Sequence, residues 1–184
     1  MKFEEHATIH LPADAVFGLM AERVEVLVPF LPNVASIRTE SRSGVGSVKT
    51  RTKRLWRALP GHLPRAFRPF RRPEMMQWID TSLWDPSDYS ETWTVEGAGP
   101  KELYTCRGRN LFVPHPEAPE SHTLISFGGE LDVKPDHVRG VPKILGRRLK
   151  PQVEAFIINL IARNFREVVD AIRHFERSGQ VALT

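Results

Sequence analysis

Internal disulfides are out of reach for this chain of 184 residues, because it holds one cysteine, Cys106. A lone thiol has no partner, and nothing argues for an oxidising compartment. Long apolar runs are missing too: no stretch approaches the roughly 18 residues that a membrane span needs. The first residues, Met-Lys-Phe-Glu-Glu-His, lack the apolar core of a signal peptide. The expectation is a cytosolic protein, with any membrane association peripheral. There is no Gly-rich phosphate loop, no ligand cluster with metal spacing and no serine-nucleophile motif. No cofactor and no metal are expected. One further absence is local: between Ser41 and Pro73 there is not a single acidic residue.

What that window does hold is basic. It contains Arg42, Lys49, Arg51, Lys53, Arg54, Arg57, Arg65, Arg68, Arg71 and Arg72. The whole chain has 26 Lys and Arg against 22 Asp and Glu, so the rest holds 16 against 22. The positive character of the protein therefore sits in one segment. Trp56, Phe67 and Phe70 lie among these charges. Basic and bulky apolar groups together suit an anionic partner with an oily or stackable face, either a phospholipid surface or single-stranded nucleic acid. Each Lys or Arg near an anionic membrane contributes about 1 kcal/mol. The plainer reading is a solvated loop, neutralised by acids elsewhere in the chain. Nucleic acid is the weaker option, since no known binding module is present.

Length and composition fit one soluble domain, with 41% hydrophobic and 26% charged residues. Phe3, Ala7, Ile9 and Leu11 alternate with polar residues, which predicts a first strand. Pro12 opens a helix with Asp14 in its first turn and Val16, Phe17, Leu19 and Met20 as its apolar face. A second short helix is predicted at about 22–30. Strands follow at 34–40 and 45–56, joined around Ser43-Gly44. Pro60, Pro64, Pro69 and Pro73 forbid a continuous helix, so 57–73 reads as a long loop. Further strands are predicted at 75–84, 88–96, 102–113 and 122–133. Gly128-Gly129 inside the last one predicts a bulge or sharp bend. After a linker at 134–150, Pro151 to about Ser178 reads as one helix of roughly 40 Å, ended by Gly179.

Three stretches carry a resemblance. One is the opening strand and helix, with Ile9-His10-Leu11-Pro12-Ala13-Asp14-Ala15-Val16-Phe17. The second is Gly128-Gly129-Glu130-Leu131-Asp132-Val133 followed by Val141-Pro142-Lys143-Ile144-Leu145-Gly146. The third is the terminal helix itself. Together they resemble the START-like superfamily, which includes birch-pollen allergens, polyketide cyclases and lipid-transfer domains. The resemblance implies an α+β helix-grip fold: a curved antiparallel sheet of about six or seven strands wrapped around a long C-terminal helix, with two short helices after the first strand. It implies a single domain over 1–184, with the basic Pro-rich segment at about 57–73 as an insertion. A space between sheet and helix would then bind a hydrophobic small molecule or lipid. Trp78, Trp93, Phe127, Phe156, Leu160 and Phe165 are the residues expected to line it.

The basic loop is expected to dock on an anionic membrane or guard the cavity mouth. Arg51, Arg54, Trp56, Arg57, Arg65, Phe67, Arg68, Phe70, Arg71 and Arg72 are its candidate contacts. Polyketide cyclase relatives use polar groups inside the cavity, so an enzyme is the alternative. Asp80, Glu91 and Asp132 are strand acids that would serve as general acid or base if they face inward, although nothing in the sequence fixes a pair. Glu4, His6 and His10 share one strand face, which is a solvent-facing edge before it is a metal site. Cys106, with no histidine beside it, reads as an inert thiol.

Overall fold

Period-two alternation in the sequence becomes a single antiparallel sheet. The computed structural model describes residues 1–44, 49–59, 76–97, 104–133 and 143–178, except the side chains at 143–147, 149, 153 and 156. Among these lie β1 (Lys2–Ile9), α1 (Ala13–Arg23), a 3-10 helix (Val24–Phe30), β2 (Val34–Ser43), β3 (Thr50–Ala58), β4 (Gln77–Asp85), β5 (Ser90–Gly97), β6 (Tyr104–Pro114), β7 (Thr123–Val133) and α2 (Lys143–Arg177). The sheet order is β1-β7-β6-β5-β4-β3-β2, so β1 and β2 are its edges. Every neighbouring pair is antiparallel.

Pro12 starts α1 as its pattern requires: Val16 N donates to Pro12 O at 3.1 Å, and Asp14 accepts from Ala15 N at 2.8 Å. The helix buries Ala13, Val16, Phe17, Leu19 and Ala21. All of these but Ala13 join Ile9, Leu27, Trp84, Phe112 and Ile125 in one apolar cluster, closed by Val169, Ile172 and Phe175 of α2. A second cluster, Trp93, Cys106, Leu131 and Val133, packs against Ile157, Ile158 and Ile161 of the same helix. α2 rests mainly on β1, β7 and the 3-10 helix. Arg173 fastens it to β1 through the Thr8 carbonyl at 2.9 Å, and Glu167 accepts from Asn33 ahead of β2.

Three expectations need correction. α2 begins at Lys143, two turns before Pro151, which lies inside it. An internal proline removes one backbone bond at a cost of about 3 kcal/mol, and 35 residues of otherwise regular helix absorb that. Secondly, β3 runs Thr50–Ala58, two residues past its predicted end at 56, while the predicted start at 45–48 lies outside the described residues; Gly44, where the turn was expected, has a φ of 83°. Thirdly, Gly128-Gly129 makes no bulge, for β7 keeps register with both neighbours through this point. Gly129 lies opposite Gly108, and the Trp93 ring covers both. A Cβ at Gly108 would fall 2.5 Å from Trp93 Cζ2, and one at Gly129 would fall 2.9 Å from Trp93 Cη2. These glycines make room for an indole. The bulges are in β2, between Val34 and Ser36 and between Thr39 and Ser41.

Candidate functional site

Register fixes which side chains share the helix-facing side of the sheet. Trp93 sits opposite Ser82 and Gly108, and Glu91 opposite Trp84 and Asn110. Arg54 is paired with Asp80, and Trp56 with Trp78. Strand alternation therefore sends Thr52, Arg54 and Trp56 of β3 inward. Arg51, Lys53 and Arg57 go to the other face.

The inward side carries two sets of stacked aromatic rings with polar groups between them. Trp93, Phe127 and Phe165 form a continuous parallel stack, with centroids 5.4 Å and 4.9 Å apart and interplanar angles of 11° and 7°. Phe3 packs on its Trp93 and Phe127 rings. Trp56 and Trp78 stack separately, at 5.7 Å and 18°.

Between these rings lies a buried polar network. Trp93 Nε1 donates to Asn110 Oδ1 at 2.9 Å, and Asn110 Nδ2 donates to Glu91 Oε2 at 2.6 Å. Ser82 Oγ is 2.6 Å from Glu91 Oε1 and 2.9 Å from Asp80 Oδ1. Arg54 is 2% exposed. Its Nη2 donates to the Ala21 carbonyl at 2.5 Å, which satisfies one of the free carbonyls at the end of α1. Its guanidinium lies 5.6 Å from the centre of the Trp84 ring, a cation–π contact. Trp84 Nε1 in turn donates to Thr52 Oγ1 at 3.0 Å. Two donors are left over: Arg54 Nε and Trp56 Nε1 are buried and complete no hydrogen bond among the described residues. Trp56 Nε1 is close enough to Asp80 to favour its anion, without completing a hydrogen bond.

Burial sets the protonation states. It pushes the Glu91 carboxyl up to about 8, with the neighbouring Asp80 charge adding to the effect. Burial also raises Asp80, against the pull of Ser82, Arg54 and Trp56. The same loss of water works against the charge on Arg54, and Asp80, Glu91 and Glu25 offset it. Such a set can hold a ligand oxygen and can exchange protons near neutral pH.

The predicted site residues divide accordingly. Trp93, Phe127 and Phe165 meet in one stack, while Trp78 stands apart against Trp56. Leu160 is 40% exposed and does not line the sheet-facing side, unlike its neighbours Ile157 and Ile161. The side chain of Phe156 lies outside the described residues. Among the basic candidates, Arg51 and Arg57 are exposed. Arg54 is corrected from a surface contact to an interior group, whereas Trp56 is half-buried with its Nε1 inside. Arg65, Phe67, Arg68, Phe70, Arg71 and Arg72 lie outside the described residues. Several charges of the window are already paired: Arg42 with Glu22 at 3.1 Å, Lys49 with Asp85 at 2.7 Å and Lys53 with Glu40 at 3.0 Å.

Of the three suspected acids, Asp80 and Glu91 converge, whereas Asp132 is an exposed partner of Lys150 at 3.1 Å. Ser82 and Asn110 were not foreseen, since a serine or asparagine in a strand carries no signal of its own. Arg54 could have been found by counting in twos from Trp56. His6 pairs with Glu4 at the surface, 3.4 Å apart, and no metal-binding group of three occurs among the described residues. Burial pushes the Cys106 thiol up to about 12, which leaves it inert at neutral pH. No helix among the described residues is long and apolar enough to cross a membrane.

No family model matches the chain, and no curated relative matches it. Solved structures do. A Thermus thermophilus protein aligns over 94% of this chain and 97% of its own, at 17% identity and a TM-score of 0.63. An aromatase/cyclase from a Streptomyces species aligns over 99% of this chain and 96% of its own, at 14% identity and a TM-score of 0.63. Norcoclaurine synthase from Thalictrum flavum aligns over 95% of this chain and 85% of its own, at 15% identity and a TM-score of 0.56. Likeness at these identities speaks to architecture. The chain has the helix-grip fold, a curved antiparallel sheet held against one long C-terminal helix.

Proposed function

We propose that this protein binds a hydrophobic small molecule between the sheet and α2, and holds an oxygen-bearing end of it against the Arg54–Asp80–Ser82–Glu91–Asn110 network. One observation carries the reading: Arg54 Nε and Trp56 Nε1 are buried donors that complete no hydrogen bond among the described residues, beside a charged network flanked by aromatic rings. An unmade buried hydrogen bond costs about 1–3 kcal/mol, which a ligand oxygen would recover. The ligand's apolar body would lie against Trp78 and the Trp93–Phe127–Phe165 stack. Native mass spectrometry of the purified protein, followed by extraction, tests this. The expected passenger is an apolar skeleton with at least one carbonyl or hydroxyl. An empty protein that also fails to quench its tryptophans with 1-naphthol would overturn the reading.

A second reading, acid–base catalysis on that molecule, is favoured by the convergence of two buried carboxyls on one serine. Two of the structural neighbours are named as enzymes, an aromatase/cyclase and a synthase. A polyketide cyclase- or dehydratase-like reaction is the class that such a site would serve.

Contact of the basic segment with an anionic membrane remains a separate part of the proposal. It rests on Arg65, Phe67, Arg68, Phe70, Arg71 and Arg72, together with the exposed Arg51 and Arg57. Cosedimentation with phosphatidylserine and phosphatidylcholine vesicles decides it. Binding to the anionic vesicles alone, lost when Arg65, Arg68, Arg71 and Arg72 become Glu, is the expected result. Equal binding to both vesicles, or binding only to a single-stranded oligonucleotide, would sink it.

A further inference from the structure

Counting donors in the buried network locates one proton. Ser82 Oγ lies within hydrogen-bond distance of both Glu91 Oε1, at 2.6 Å, and Asp80 Oδ1, at 2.9 Å. A serine hydroxyl has one hydrogen and can donate to only one of them. Were both carboxyls ionised, the other contact would set an anionic oxygen against a lone pair. The geometry is satisfied when one carboxyl is protonated and donates to Oγ, while Oγ donates to the other.

The surroundings decide which carboxyl holds the proton. The Trp93 indole is a donor only, so the Asn110 atom facing it is the oxygen. Asn110 therefore presents its amide hydrogens to Glu91 Oε2. That oxygen is an acceptor, which leaves Oε1, facing Ser82, to carry a proton. On the other side, Asp80 is the cross-strand partner of Arg54 and lies near Trp56 Nε1, and both favour its anion. Ser82 and Glu91 are 1% and 5% exposed, so the shared hydroxyl and the neutral carboxyl are both shut away from water. The charges acting here are Asp80 of β4, Arg54 of β3, Arg42 of β2 and Glu25 of the 3-10 helix, the last two through Arg54. α1 contributes the Ala21 carbonyl.

We propose that Glu91, Ser82 and Asp80 form a proton wire in which Glu91 is the neutral, buried end and Asp80 the ionised end, through which Asp80 takes a proton from a bound molecule. The arrangement of the wire stands on the network alone. Its use rests on the ligand reading above. When Asp80 removes a proton from a ligand C–H or O–H, the ligand keeps the electron pair as an anion. The two carboxyls then go from one negative charge to none, and Arg54 is left to face the new anion. Giving a proton away first would ionise both carboxyls around Ser82, which the geometry opposes. The site is built to act as a base first and to return the proton afterwards.

Infrared spectroscopy of the whole protein tests the wire. A protonated-carboxyl band of a buried acid is expected at neutral pH, and Glu91→Gln should remove it. Glutamine can donate to Ser82 and accept from Asn110, so this variant should melt with the wild type. Asp80→Asn, which strips Arg54 of its partner, should melt several degrees lower. A band that survives in Glu91→Gln, or a Glu91→Gln protein as unstable as Asp80→Asn, would overturn the arrangement. For its use, α-tetralone in deuterated buffer is the probe, read by proton NMR. The wild type should speed exchange of the hydrogens next to the carbonyl. Asp80→Asn should slow that exchange on the order of a hundredfold while still binding. Tetralone that binds without faster exchange would overturn the base role. Tetralone that does not bind would count against the ligand reading instead.

Discussion

β3 uses arginine on both of its faces, to different ends. Arg51 and Arg57 point outward and are exposed, and between them Lys53 meets Glu40 at the surface. Arg54 points inward, is 2% exposed, and binds the end of α1 and the Trp84 ring in the field of nearby acids, Asp80 first. A buried guanidinium loses several kcal/mol of hydration and persists only if its surroundings replace it. An outward one loses almost nothing and contributes almost nothing. The contrast shows that the charge total of a segment does not name its partner. Parity along the strand decides which charges meet solvent and which shape the interior.

Three measurements would break or sharpen that contrast. The largest effect is expected at Arg54. Replacing it by Ala uncaps α1 and leaves Asp80 without its counter-charge, a loss of about 3–5 kcal/mol in urea unfolding. Arg57→Ala should fall within about 0.5 kcal/mol. Equal losses would erase the difference between the faces. Next comes pH. The native Glu91 carboxyl titrates at about 8, against an ordinary value of 4.5. Between those values the native state binds a proton that the unfolded chain has released. Stability is therefore full on the acid side and falls as pH rises through this window, by on the order of a few kcal/mol. Glu91→Gln should flatten that decline, and a slope that persists would place its source elsewhere. The smallest effect is expected at Lys53→Ala, on the outward face, where losing an exposed ion pair should barely move the urea midpoint, and less still at high salt.

Much of this architecture was legible in the chain. The Pro12 helix start, the alternation in β1 and β5, and the apolar periodicity of α2 all report strong local physics, and the elements lie where those signals put them. Local signals also misled. Pro151 reads as a helix boundary because proline disfavours a helix interior, yet α2 runs through it. Gly128-Gly129 reads as a bulge because glycine is permissive, yet β7 keeps its register there and Gly129 makes room for a ring on another strand. No local pattern records that Trp93 needs floor space. The site was half legible for the same reason. Asp80 and Glu91 stood out as acids in strands. Their convergence depends on the register of β4 with β5 and on Ser82 and Asn110, and only the assembled sheet supplies that. Arg54 was visible but misread, since a window full of arginine invites one explanation for all of its members.

The two bulges in β2 carry a consequence for the molecule's conduct among its own copies. β2 is an edge, and an edge strand offers unpaired amides and carbonyls to any passing chain. Its ladder with β3 slips between Val34 and Ser36 and again between Thr39 and Ser41, so only Ser36–Thr39 continues in unbroken register before the second slip. Arg38, Glu40 and Arg42 stud the same strand. An incoming strand would find four residues in register, Arg38 among them, and then two more charges to desolvate. The edge deters sheet-to-sheet aggregation, and a concentrated solution of this protein should resist fibril growth from that side.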